Sequence, residues 1–576
     1  MKIAYSKSKG LIHAISLLLS FSALIPVGCG SDGNQSGGVH SDPKDPYPEP
    51  NPNPDKKADP LYRQQAWYFD AVHLPEAWKY GRGDRNLVVA VIDTGKVNHS
   101  DLNEKWVDGY DFAFGRADAA ADDQGTSFHH GAHVAGIIAA KSENGIGIAG
   151  VCPECMLMPL RYAKAEPLLR SDESGTPHFP TECLDASILA SNKCNAWDTD
   201  CIARERERCI WKATTEVLAR SILYAAGLEI DDGTGKRVKA SRPADVINIS
   251  SGNKHFPERN GYAPLEVCTG SLALDGAIKA ARQANVPVVV AAGNMDDRSL
   301  VPSENRHGEM VMDRDNNNYL WAGCPVLSVA AVSANGTPET YTTLGQYISI
   351  SAPGGSAQVV ADPEKERSDG FGVFIDCPKE YVEHELGVTG MHGIVSTWMT
   401  GALGIKDTPS YKNGKPCYRH LSGTSMAAPI VAGVVALMRA QDRKLTVGQI
   451  EQILDLTATQ APCSNKGKKS CGAGMVDANA AVSAARPPDA ALSCMVTGLG
   501  RFSCQYVQLW GLAPALPTWS VVRNAVLDSG QERSSMVSGS CGTDSAKTVV
   551  SLKLSDRFGR TASVESSFYC MPGEHP

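Results

Sequence analysis

The chain has 576 residues, of which 42% are hydrophobic and 20% charged, with a formal net charge of −8. That length exceeds what one hydrophobic core organises, so a large domain with smaller attachments is expected. The composition is that of a soluble globular protein, and the acidic balance lacks the basic surplus that a phosphate backbone requires, which excludes nucleic acid as the expected partner.

The N-terminal segment opens with Lys2, Lys7 and Lys9, runs through an apolar stretch from Leu11 to Val27, and ends in small residues at Gly28 and Cys29. This is the pattern of an export signal over residues 1–28. A membrane span needs about 20 apolar residues, more than this stretch supplies, and His13 falls inside it. Gly28-Cys29 also resembles a lipoprotein processing site, after which Cys29 would be diacylated and hold the chain at the membrane; Pro26 stands where that pattern usually has Leu. Of the 17 cysteines, removing Cys29 leaves an even number to pair in an oxidising compartment. Ordinary secretion with a nearby cut is the alternative.

Residues 29–60 are rich in Gly, Ser, Asn, Asp and Pro and read as an extended linker with nothing to bury. From 61 to 485, short apolar runs ending in Gly or Asn alternate with alanine-rich helical stretches. LVVAVIDTG, ADVINISSG and VPVVVAAGN are predicted strands that are apolar on both faces, as buried parallel strands are. HHGAHVAGIIAA, SLALDGAIKAARQA and SMAAPIVAGVVALMRAQ are predicted helices whose small residues allow close approach to a sheet. The fold class is therefore α/β, a doubly wound and mostly parallel sheet with helices on both faces and chemistry at the strand ends. Thr446 and Gln449 form a capping box that opens a further helix.

A polar stretch at about 165–212, with Cys183, Cys194, Cys201 and Cys209, interrupts this alternation and reads as a disulfide-stapled insertion; a core helix returns at about 213–226. Cys152-Pro153-Glu154-Cys155 reads as a local structural disulfide in preference to a redox or zinc motif. Residues 488–576 switch to β-type alternation and predict a small C-terminal all-β sandwich, with Cys494, Cys504, Cys541 and Cys570 supplying two bridges to a unit too small to be secured by its core alone.

Peptide hydrolysis by a serine needs a base for the hydroxyl proton, a carboxylate to orient the base, and donors for the oxyanion. Asp93 ends the apolar run LVVAVI, where a carboxylate would be held at a buried strand's end; by itself it is also a common strand-closing turn residue. His130 opens HGAHVAGIIAA, where Gly131, Ala132, Ala135 and Gly136 leave room for an imidazole to project into a cleft. His133, one turn on, is expected to be a buried hydrogen-bonding residue, since zinc helices space their histidines at i and i+4 with a Glu between. Ser425 sits in SGTSMAAPIVAGVVAL, where Gly423 permits a tight approach, the helix start favours negative charge, and Pro429 is expected within a first turn that has amides to spare. Asn294, at the end of VPVVVAAGN, can offer its amide to the same oxyanion.

In their order and context these motifs resemble the signatures of the subtilisin family over about residues 65–485. The resemblance implies a serine endopeptidase for polypeptide substrates with Asp93, His130 and Ser425 as its triad, Asn294 as oxyanion donor, and no cofactor required for the chemistry. It implies that Ser250, Ser251 and Gly252 pair with substrate backbone and line the specificity pocket, by strand addition. CGAGMVDANAAV resembles a C-terminal helix of the family. Asp101 and Asn144 fall where the family's structural calcium site draws ligands, while both also read as loop-turn residues. Ala132 replaces a usual Thr, and Ser251 a usual apolar residue, which bears on pocket preference. The family usually carries a folded inhibitory pro-domain where this chain has its linker, and about 30 polar residues cannot build one. Two rival functions stand beside this reading. One is an envelope binding or adhesion protein that works through the C-terminal β domain; the other is an esterase or peptide ligase on the same scaffold.

Overall fold

All six residues of the first strand, β1 (Val88–Asp93), are buried, and they divide between two cores. Val89 and Val91 join one cluster, while Val88, Ala90 and Ile92 join the other, because successive strand side chains point to opposite faces. A strand covered on both sides has no solvent face, which is why its sequence is apolar without a break from Val88 to Ile92. In the computed structural model, β1 lies within a seven-stranded sheet with β2 (Tyr110–Asp111), β3 (Met156–Arg161), β4 (Val246–Ile249), β5 (Val288–Ala291), β6 (Leu327–Val332) and β7 (Ile350–Pro353), in the order β7-β6-β5-β4-β1-β3-β2. Every pairing in it is parallel.

The structure describes residues 58–119, 129–162, 215–250, 271–294, 303–304, 310–311, 321, 323–345, 347–356, 374–375, 393–399, 415–460 and 471–570, without 499, 514, 532 and 543–546. The export signal, Cys29, most of the linker, the cysteine-rich stretch at 165–212, Ser251 and Gly252 lie outside the described residues.

On one face of the sheet pack α1 (Tyr62–Ala71), α2 (His130–Ala139), α5 (Thr424–Gln441), α6 (Val447–Thr457) and α7 (Ala478–Ala485); on the other pack α3 (residues 215–225) and α4 (Leu272–Gln283). The capping box forms at the start of α6, with Thr446 and Gln449 satisfying each other's backbone amides. Among the described residues α5 alone is long and apolar enough to cross a membrane, and 83% of it is buried inside the protein, as befits a helix apolar all round. Cys152 and Cys155 form the expected local bridge.

The chain leaves this layer at Ala485 and begins the next strand at Asp489. There follow β10 (Asp489–Gly498), β11 (Arg501–Trp510), β12 (Leu516–Arg523), β13 (Ala525–Leu527), β14 (Met536–Cys541), β15 (Thr548–Ser555) and β16 (Thr561–Phe568); the preceding pair, β8 (Ile394–Met399) and β9 (Pro416–Leu421), forms an antiparallel hairpin against α2. The C-terminal strands make two antiparallel sheets, β10-β11-β14-β13 and β12-β15-β16. Phe502 and Val537 of one sheet and Trp519, Val550, Leu552 and Leu554 of the other share one core, so the sandwich forms as its alternation predicts. Its two bridges are Cys494–Cys504 and Cys541–Cys570. The Arg560 guanidinium donates to the carbonyls of Ala484 and Ala485, closing the buried end of α7 with a cation where the last carbonyls lack helical partners.

Candidate active site

The strand order reverses at β1. From β1 the chain first runs to the edge strand β2, returns to β3 beside β1, then crosses to β4 on the opposite side. Connections leaving β1 and β4 in opposite directions open a crevice at the carboxyl ends of these two strands, where ligands of doubly wound folds bind. Asp93 closes β1 and Ser250 follows β4 directly.

Asp93 shares the parity of Val89 and Val91, so its side chain points to the face covered by α2 and α5. There His130, the first residue of α2, meets it: the ring Nδ1 lies 2.9 Å from each carboxylate oxygen. Asp93 Oδ1 also accepts from the backbone N–H of Thr94 at 2.8 Å, and the Thr94 hydroxyl oxygen accepts from the N–H of Gly131 at 3.0 Å. These bonds lock the strand end to the helix start. A Cβ on Gly131 would sit 3.0 Å from the Gly95 carbonyl and 3.1 Å from Asp93 Cβ, so a larger residue would push the strand end and helix start apart by a few tenths of an ångström. Burial alone would pull the His130 pKa down, but the charge and hydrogen bond of Asp93 more than offset it, and the net shift is upward from 6.5.

His133 is wholly buried, and its Nε2 donates to the Arg419 carbonyl at 2.9 Å. Burial drives its pKa down to about 3, so the ring is neutral and serves as the structural residue expected of it. Among the described residues no three His, Cys, Asp or Glu side chains cluster as a metal site.

Ser425 is the second residue of α5 and its hydroxyl donates to the Ser250 carbonyl at 2.8 Å. α5 packs directly on α2, so the helix starts bearing Ser425 and His130 belong to one layer. Pro429 differs from expectation: with the helix starting at Thr424, it falls inside the second turn. Its missing N–H is therefore one that would have bonded, four residues back, to the carbonyl of Ser425. That carbonyl accepts instead from the Ser250 hydroxyl at 2.9 Å.

Asn294 follows β5, and its backbone bridges to Thr342. Its Oδ1 accepts from the N–H of Thr424 at 2.9 Å and from the Thr424 hydroxyl at 3.0 Å. A backbone N–H can only donate, so the atom facing it is oxygen and the amide nitrogen is left as the donor. A Cβ on Gly423 would lie 3.0 Å from that nitrogen, which explains the glycine. The amide thus lies against the turn that carries Ser425. Thr424 was not legible as a partner in the sequence, although its position inside SGTS was a signal; Asn248, a polar residue within the apolar run of β4, was another.

Asp101 and Asn144 do meet, as a hydrogen-bonded pair. Asn144 Nδ2 donates to Asp101 Oδ1 at 3.0 Å, and Asn144 Oδ1 accepts from the N–H of Ile146 at 2.7 Å. The second Asp101 oxygen accepts from the Ile148 N–H and the Tyr418 hydroxyl, each at 3.0 Å, and Asp59 nearby accepts from the N–H groups of Glu143 and Asn144. Burial pushes Asp59 and Asp101 up to about 6. Calcium takes six to eight oxygen ligands, whereas every side-chain oxygen of Asp59, Asp101 and Asn144 faces a donor hydrogen. As arranged, these residues do not fit the ion.

The chain is 29% identical over 451 residues to an extracellular protease of Xanthomonas campestris pv. campestris, covering 73% of this chain and 56% of that protein. It is 26% identical over 471 residues to an extracellular basic protease of Dichelobacter nodosus, covering 76% and 57%. The chain thus spans little more than half the length of these relatives. A solved protease from Pseudoalteromonas arctica is 29% identical, with a TM-score of 0.49, covering 75% of this chain and 100% of that one. The model of the Subtilase family matches residues 84–182 and 211–474, well over half of the sequence, and the chain belongs to that family.

Proposed function

We propose that the chain is an exported serine endopeptidase that cleaves extended polypeptides through an acyl-enzyme on Ser425. One observation carries this reading: at the switch point of the sheet, a buried carboxylate grips Nδ1 of a histidine with both oxygens. That grip keeps the proton on Nδ1 and leaves the other ring nitrogen as a base. Turning from the Ser250 carbonyl, the Ser425 hydroxyl gives its proton to His130 as its oxygen attacks the scissile carbonyl. The oxyanion is met by the Asn294 amide and the backbone N–H of Ser425 at the start of α5. His130 then returns the proton to the leaving amine, and water repeats the sequence to release the acid. By the resemblance to the subtilisin family, substrate backbone is expected to add as a strand along the segment that opens with Ser250, Ser251 and Gly252. The relatives' names as extracellular proteases support export, and Cys29 is the residue that would carry a lipid anchor.

The test is casein hydrolysis and fluorophosphonate labelling by the chain from Gln65 onward, beside Ser425→Ala. Labelling that persists in the variant, or is missing from both, sinks the proposal. A ligand-binding activity that survives Ser425→Ala in the absence of any proteolysis would favour an adhesion role for the C-terminal sandwich. Asn294→Leu should lower kcat by about 100- to 1,000-fold with KM little changed, since the donor is felt mainly in the transition state. The donor-saturated Asp101 cluster leads us to expect an unchanged Tm on adding EDTA; a fall of several degrees would return calcium to this loop.

A further inference from the structure

β4 carries a polar residue where none is needed for folding. Asn248 is wholly buried in the middle of the sheet, paired in register with Val91 and Val289 on its two neighbours. Its Oδ1 is buried without a hydrogen-bond partner, a state that natural cores rarely tolerate without a compensating role. Its Nδ2 donates to the Ser250 hydroxyl oxygen at 3.0 Å, and that hydroxyl donates onward to the Ser425 carbonyl at 2.9 Å.

The direction of this relay follows from the proline. Pro429 deprives the Ser425 carbonyl of its helical donor, so the carbonyl needs a hydrogen from elsewhere. If the Asn248 amide were reversed, its oxygen would take the Ser250 proton, the Ser425 carbonyl would lose its donor, and both amide hydrogens would be stranded in place of one hydrogen and the oxygen. The observed orientation leaves fewer groups unpaired, at the cost of the Asn248 oxygen and one amide hydrogen. Ser250 is itself buried, with 1% of its surface exposed, so its hydroxyl is committed to this contact and not to solvent.

We infer that Ser250, directed by Asn248, is a positioning residue for the nucleophile: its hydroxyl replaces the helix bond that Pro429 removes and fixes the backbone of Ser425 to the end of β4. This rests on the endopeptidase reading and adds to it. Ser250 thereby has two separate functions, with its side chain holding the nucleophile's carbonyl and its own carbonyl receiving the nucleophile's hydroxyl at rest.

Ser250→Ala removes the hydroxyl and keeps the backbone carbonyl. It should lower kcat by about 10- to 100-fold, the scale of a small misplacement of a reacting group, with KM within about twofold of wild type. The rate of labelling by a small fluorophosphonate, which needs Ser425 but no peptide backbone, should fall in the same proportion. Ser250→Thr should restore most of the labelling rate, and Asn248→Ala should give an intermediate loss. Labelling and kcat within twofold of wild type in both Ser250→Ala and Asn248→Ala would overturn the inference, as would a rise in KM alone, which would assign Ser250 to the substrate wall only. If Ser250→Ala does not fold, Asn248→Ala decides by the same labelling rate. A wild type that labels no faster than Ser425→Ala would bring down the endopeptidase reading, and this one with it.

Discussion

Ser425→Ala is expected to reduce kcat on the order of a million-fold, the loss that removing a triad nucleophile causes in subtilisin. Thr424, the other hydroxyl on α5, does not stand in for it, because it is buried and committed, accepting from the Gly293 N–H at 3.0 Å and donating to Asn294 at 3.0 Å. The variant should fold, because the hydroxyl's one hydrogen bond, to the Ser250 carbonyl, is worth about 1 kcal/mol. Steady-state hydrolysis of a peptide anilide, with Tm measured in parallel, would check both halves. Activity within a hundredfold of wild type would mean that Ser425 is not the nucleophile.

Asp93→Asn should be nearly as severe, lowering kcat about ten-thousand-fold without unfolding the protein. The reason is local. Asp93 Oδ1 already accepts from the Thr94 N–H, so the amide oxygen of an asparagine must take that place and its NH2 must face His130 Nδ1. A donor there puts the imidazole proton on the wrong nitrogen, and the base is lost. The pH dependence supplies a second readout. In the wild type kcat/KM requires neutral His130, whose pKa is raised above 6.5 because Asp93 outweighs burial; activity should therefore fall as pH drops through a value above 6.5. Without the carboxylate only burial acts, and the residual activity of Asp93→Asn should persist to lower pH. A midpoint that stays put would show that Asp93 does not control the base.

Much of this site could be read locally. Asp93, His130, Ser425 and Asn294 stand at the ends of apolar strands or the starts of small-residue helices, and those ends are marked by neighbours in the chain. The two-faced apolar run of β1 and the small residues of α2 and α5 likewise announce a sheet between two helical layers, because burial acts on each element by itself.

The bonds that hold the site together were not readable in this way. Thr424 anchoring Asn294 and Ser250 anchoring Ser425 join residues 130 and 175 positions apart, and nothing in either segment names its partner. The same holds for Asp101, which the sequence offers as a calcium ligand and the fold pairs with Tyr418, 317 residues away. Pro429 shows the difference most clearly. Its sequence neighbourhood places it near a helix start, but only the fold decides that it lies one turn in, strips a bond from the Ser425 carbonyl, and leaves that bond to the Ser250 hydroxyl just past the end of β4. Residue types determine which chemistry and which elements are available; a hydrogen bond between distant segments exists only once the packing of both has set its length and direction.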